Sequence, residues 1–222
     1  MLKALHPDLL KSFDRLPGNQ PVAFLTRHSL REQPKNGFAN YEVPLTAEGV
    51  ALAEALGKAI ERPVAGFYSS PVQRCVDTAR AMAEGLGYRE ATIHETPYLV
   101  EPGSYVQEIE KVGRLFFKLG PVAFASKHLK GEVRGVLSPE QGTLQILRHL
   151  KETLGEGNEL TVHVTHDTIL AAFVYCLLGH DELDDSHWPW MMEGVFVWFD
   201  EGQVHWIWRG EYHCTETFYV DE

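Results

Sequence analysis

The chain has 222 residues, a formal net charge of −11 and 44% hydrophobic residues, which suits one large domain, or a domain with a small insertion, around a substantial buried core. So acidic a chain argues against a general nucleic-acid or anionic-membrane surface. Three cysteines, Cys75, Cys176 and Cys214, make no disulfide framework and fit a reducing compartment, the cytoplasm.

The first residues, MLKALHPDLLK, have no apolar core long enough for a signal peptide, and the longest apolar run, 169–178, is too short to span a bilayer. Residues 7–16 predict a short helix packing through Leu9, Leu10, Phe13 and Leu16, ended by Pro17-Gly18. Residues 22–26 form an apolar run suited to a buried strand. It stops abruptly in Arg27-His28-Ser29-Leu30-Arg31. Residues 32–44 are polar and turn-rich and predict a surface loop. Thr46 caps a helix to about Ile60, with Glu48 in its first turn and a stripe of Leu52, Leu56 and Ile60. Val64 to Tyr68 reads as a second buried strand. Ser69-Ser70-Pro71 predicts a helix start with Ser70 at the cap and Pro71 at the first helical position, running to Leu86 before Gly87. Its apolar stripe includes Cys75, which is therefore a core residue, whereas Arg74 lies off the stripe near the N-terminus. A cation opposes the helix dipole there unless an anion is present too.

Residues 92–95 predict a strand, 98–103 a loop and about 104–118 a helix packing through Tyr105, Ile109, Val112 and Phe116. Residues 119–137 read as irregular. Ser138-Pro139-Glu140-Gln141 is a capping box for a helix to about Leu154. Leu160 to Thr165 is a strand ending in His166-Asp167, followed by another helix. Residues 195–199 and 204–208 alternate around Asp200-Glu201-Gly202 as a hairpin. Trp188, Trp190, Met191 and Met192 fit either a substrate pocket or core packing, and Trp198, Trp206 and Trp208 fit sheet packing. Strands alternating with helices argue for an α/β sheet covered on both faces.

Three predicted strands end in chemistry: Arg27, His28 and Arg31; Ser70 leading to Arg74; His166 and Asp167. In a parallel sheet these ends share the edge where ligands bind. Guanidinium forks match phosphate oxygens in pairs. A histidine held in line can attack phosphorus, and a carboxylic acid such as Asp167 can protonate an alkoxide leaving group. On a strand His163 and His166 face opposite sides, so His163 reads as a satisfied sheet histidine, and no metal site is expected.

Leu25-Thr-Arg-His-Ser-Leu-Arg31, Pro44-Leu-Thr-Ala-Glu-Gly49, Ser69-Ser-Pro-Val-Gln-Arg74 and Val164-Thr-His-Asp-Thr168 resemble, in order, the motifs of the histidine phosphatase superfamily, which includes phosphoglycerate mutases and histidine acid phosphatases. The RHxxR and HD motifs look closer to the acid-phosphatase branch. Ser29 stands where the family usually has Gly. The resemblance implies a phosphoglycerate mutase-like three-layer α/β sandwich, with a mostly parallel central sheet flanked by helices, spanning 1–222 as a single domain with 97–137 as a small insertion near the site. It implies His28 as the phosphorylated nucleophile; Arg27, Arg31, Arg74 and His166 around the phosphoryl group; Asp167 as the acid, with Glu101 as the alternative in the manner of the mutases; and neither metal nor cofactor. The expected activity is a phosphomonoesterase for a small-molecule phosphomonoester, with a phosphomutase or a non-catalytic phosphate- or phosphopeptide-binding protein as alternatives.

Overall fold

A computed structural model describes residues 4–33, 41–100 and 103–218. Seven strands, β1 (Val22–Arg27), β2 (Val64–Ser69), β3 (Ile93–Glu95), β4 (Leu160–Thr165), β5 (Gly194–Asp200), β6 (Gln203–Trp208) and β7 (Glu211–Thr215), form one sheet in the order β3-β2-β4-β1-β5-β6-β7. The β3-β2-β4-β1 part is parallel, and β5, β6 and β7 extend it antiparallel. Around it lie α1 (Pro7–Phe13), α2 (Ala47–Ala59), α3 (Gln73–Gly85), α4 (Ile109–Leu119), α5 (Pro121–Leu129), α6 (Pro139–Glu152) and α7 (Asp167–Leu177).

The run 22–25 is continuously apolar because β1 is covered on both faces. Val22 and Phe24 belong to the core shared with α2 and α3, while Ala23 and Leu25 belong to the core shared with α6 and α7. This is the expected three-layer sandwich. The caps at Thr46 and Ser138 form as expected, the latter as a reciprocal capping box.

Several elements differ from the sequence reading. The first helix ends at Phe13, three residues early. Helix α3 starts at Gln73, with Val72 at its N-cap and no side-chain cap. Ser70 lies outside it because its hydroxyl meets the ring of His166. The helix expected over 104–118 begins only at Ile109. Tyr105 precedes it, packs into the α6–α7 core and bonds Thr143 through its hydroxyl. Ile109, expected to pack, is 45% exposed. The stretch expected to be irregular holds α5, joined to α4 by Gly120 at φ +77° and opened by Pro121. A glycine that ends one helix and a proline that starts the next make a joint, not a gap. Strand β7 was not anticipated. Arg209 and Gly210 take positive φ and turn β6 into β7, just as Glu201 and Gly202 turn β5 into β6. Such two-residue turns match the strand twist.

Among the described residues, no helix is long and apolar enough to cross a membrane.

Candidate active site

The parallel ladder continues past the strands. The His28 amide donates to the Thr165 carbonyl and the Ser70 amide to the Val164 carbonyl, both at 2.9 Å. Residues just beyond β1, β2 and β4 are thereby held side by side. Ser29 is fully buried, its amide donating to Thr78 Oγ1 at 3.0 Å and its hydroxyl to the Gly49 carbonyl at 2.7 Å. The position that tolerates no side chain is Gly49, where a Cβ would overlap the Leu30 carbonyl. A serine at 29 thus fits without displacing the loop.

Both histidine tautomers follow from their partners. His28 Nδ1 lies 2.8 Å from the Ser29 carbonyl, which can only accept, so Nδ1 carries the proton. Nε2 therefore presents its lone pair, and it accepts Arg74 Nε–H at 3.1 Å. Arg74 Nη2 also donates to His166 Nδ1 at 3.1 Å, leaving His166 Nε2–H to donate to Ser70 Oγ at 2.9 Å. One guanidinium thus bridges two imidazoles whose rings stand edge to face, 5.7 Å apart between centroids. Arg74, read from the sequence as lying off the apolar stripe, is buried and turned into this site.

Arg27 is also buried. Its Nη1 donates to the Pro189 carbonyl and its Nη2 to Asp167 Oδ2, each at 2.6 Å, while its Nε is buried without a partner. A buried N–H left unpaired costs about 1–3 kcal/mol. Arg31 sits at the rim, its backbone bridged to Leu45 and its Nη1 donating to the Glu32 carbonyl at 3.2 Å. Burial lowers its pKa first, followed by the charge of Arg74, which places it within electrostatic reach of the others.

Burial, then the charges of His166, Arg27 and Arg74, push the His28 imidazole well below its ordinary pKa. Burial and Arg74 bring His166 down to about 3. Both rings are neutral at pH 7. Burial would raise Asp167, but Arg27, both histidines and the Thr168 amide together outweigh it and hold the carboxyl at about 2. Cys75 is inert core, since burial lifts its thiol to about 12.

The structure therefore gathers Arg27, His28, Arg74, His166 and Asp167, with Arg31 at the edge. Glu101 lies outside the described residues, as does 34–40. Met192 is core, and Trp190 is 48% exposed against His6. His163 is only half satisfied: Nε2 meets Thr161 Oγ1, while Nδ1 is buried without a partner. Two residues missed in the sequence are Glu193 and Pro189, which reach the site through Arg27. The one available signal was a lone acid, Glu193, closing the apolar run 188–192 just before a strand. A separate concavity of about 350 Å³ is lined mainly by Tyr41, Val106, Ile109, Phe116, Phe117 and Phe124. The chain segments that line it leave the sheet at the same carboxyl edge, after β1 and β3. Among the described residues no group of three or more His, Cys, Asp or Glu is placed to hold a metal ion.

A cationic, histidine-bearing cluster at the carboxyl edge of a parallel sheet defines a class, the α/β proteins that handle anionic groups at that edge. Within it, the family model described as "Histidine phosphatase superfamily (branch 1)" matches residues 23–194. The chain belongs to that superfamily. Similar folds include a phosphoglycerate mutase from Bacillus anthracis, at 16% identity over 89% of this chain and 92% of that one, with a TM-score of 0.58. A mycobacterial glucosyl-3-phosphoglycerate phosphatase is 16% identical over 80% and 88%, with a TM-score of 0.53. A mutant phosphoserine phosphatase from Entamoeba histolytica, in complex with phosphoserine, is 19% identical over 87% and 94%, with a TM-score of 0.56. No curated protein matches the chain. The leaning toward the acid phosphatases rests on the RHxxR and HD motifs alone.

Proposed function

We propose that the protein is a metal-independent phosphomonoesterase that works through a phosphohistidine on His28. The observation that carries this reading is the locked tautomer: the Ser29 carbonyl fixes the proton on Nδ1, so a neutral Nε2 lone pair faces the Arg74 guanidinium. A phosphoryl group entering along that direction takes over the Arg74 N–H bonds, with Arg27 and Arg31 supplying further positive charge. Nε2 attacks phosphorus in line, the bond to the ester oxygen breaks, and that oxygen takes a proton. Water then attacks the phosphohistidine and releases inorganic phosphate. His166, neutral and anchored on Ser70, contacts the transferring group.

The donor is assigned to Asp167, with a condition that the geometry imposes. An acid must carry a proton, and Arg27 holds Asp167 ionised at about 2. A substrate dianion competes for Arg27 and adds like charge beside the carboxylate, and both effects raise its pKa. Glu101 is the alternative donor, favoured by that same resting ion pair.

The test is turnover of an aryl phosphate by pure protein with chelator present, for wild type and His28→Ala. Turnover that resists the chelator and vanishes in the variant supports the reading. Normal turnover by a folded His28→Ala protein rejects it, and phosphate binding without turnover by wild type selects a binding protein. Phosphate transfer to an added alcohol or sugar phosphate at the expense of water would select a mutase.

A further inference from the structure

Glu193 is 1% exposed, an acid buried beyond the residues that hold the histidines. Its carboxylate makes three bonds. Oε1 accepts Arg209 Nε–H at 2.7 Å, while Oε2 accepts the Trp190 amide at 2.7 Å and Arg209 Nη2 at 3.3 Å. Arg209 in turn donates to the Ser186 carbonyl at 2.8 Å and the Trp188 carbonyl at 3.3 Å. This pair ties the turn 186–193 to the turn between β6 and β7. The Glu193 backbone also locks onto β1, its carbonyl accepting from the Arg27 amide at 2.9 Å and from Thr26 Oγ1 at 3.1 Å. From the middle of this turn the Pro189 carbonyl accepts Arg27 Nη1.

The backbone is strained beside Glu193. Among the described residues three that are not glycine have positive φ: Glu201 and Arg209, each in a two-residue hairpin turn that calls for it, and Met192 at 63°, outside either hairpin. A residue such as Met192 persists only where its surroundings over-determine it.

We infer that Glu193 is a positioning residue: through Arg209 and the turn 186–193 it sets the Pro189 carbonyl that orients the Arg27 fork toward the phosphoryl group. This rests on the phosphate-binding role proposed for Arg27. Arg27 is gripped from two sides, by a carboxylate on α7 and by a carbonyl on this turn. Without the turn only Asp167 remains, and the fork can swing with that side chain. Charge alone survives such a swing, but bidentate geometry does not.

The test is a double-mutant cycle read as affinity for inorganic phosphate by calorimetry. Glu193→Gln keeps the side-chain volume but turns one acceptor into a donor facing N–H groups. It should weaken phosphate roughly ten- to hundredfold, as misplaced binding groups do. Arg27→Lys keeps the charge but cannot hold Pro189 and Asp167 together. If Glu193 acts through the fork, adding Glu193→Gln to Arg27→Lys costs little more. Additive losses overturn the inference, because they mean that Glu193 acts elsewhere. Equal phosphate affinity in Glu193→Gln and wild type overturns it too. Should Glu193→Gln not fold, Arg209→Lys carries the same cycle with a smaller loss. Ile146→Val, buried on the α6 side, is the stability control and leaves phosphate affinity unchanged. Turnover that survives His28→Ala would reject the reaction proposed above without touching this cycle, which is read in binding.

Discussion

The cluster around Arg27, His28 and Arg74 and the α4–α5 segment are built on opposite plans. At the first, side chains from β1, α3, α7 and the residues just beyond β1 and β4 converge, mostly buried and tied to one another or to backbone. At the second, Val106, Val112, Phe124 and Val133 make a small core of their own, while Ile109 and Phe117 are 45% and 52% exposed. One region places charge on a rigid sheet. The other gathers an apolar concavity around the segments that follow β1 and β3, beside a small core of its own. If the first reads phosphate, the second is suited to reading whatever carries it.

That contrast breaks most decisively at His28. Its replacement by Ala should lower kcat by roughly 10⁴-fold or more, as loss of a nucleophile acting within a unit does, with little change in melting temperature. Next is the proposed proton donor. Asp167→Asn should cost about 10²–10⁴-fold in kcat, more for alkyl than for nitrophenyl leaving groups. If Glu101→Gln shows that leaving-group dependence instead, the acid moves to the other segment and the two regions share the chemistry.

Acid should destabilise the fold through its buried histidines. His28, His149, His163 and His166 all have pKa values lowered chiefly by burial, His149 to about 4 and His166 to about 3. A histidine held below its unfolded value of about 6.5 gives full stability above that pH and loses it as pH falls toward the folded value. By pH 5 each of His149 and His166 costs about 2 kcal/mol. Melting temperature should therefore drop steeply between pH 6.5 and 4.5 and stay level from 7 to 8. His149→Phe should soften that drop, and an unchanged slope would exclude this histidine as a cause. Within the α4–α5 segment, Phe124→Ala should cost roughly 3–5 kcal/mol, as truncating a buried Phe does, seen first as local hydrogen exchange in α4 and α5. The smallest effect belongs to Phe117→Ala, within about 0.5 kcal/mol in stability. It should leave inorganic phosphate affinity unchanged while raising KM for apolar esters.

The same division governs how much could be read in advance. The parallel core was legible because burial on both faces forces uninterrupted apolar runs, and the site because its residues follow directly at the ends of those runs. The start of α4 is not legible in the sequence because Tyr105 keeps the helical period yet is claimed by the α6–α7 core. Ser70 looks like a cap in the sequence because its competitor, the ring of His166, is 96 residues away.

What the amino-acid order determined by itself is local or periodic: strand ends, caps at Thr46 and Ser138, the cysteine in the core, and the set Arg27, His28, Arg74, His166 and Asp167. Tertiary structure alone decided which nitrogen of His28 carries its proton, that Asp167 is ionised against Arg27, and that Glu193 reaches the site through a turn. Those properties depend on partners brought near only when the sheet closes, and on water leaving as it does so. A linear pattern records what a residue can do, while desolvation and contact with distant groups select what it does.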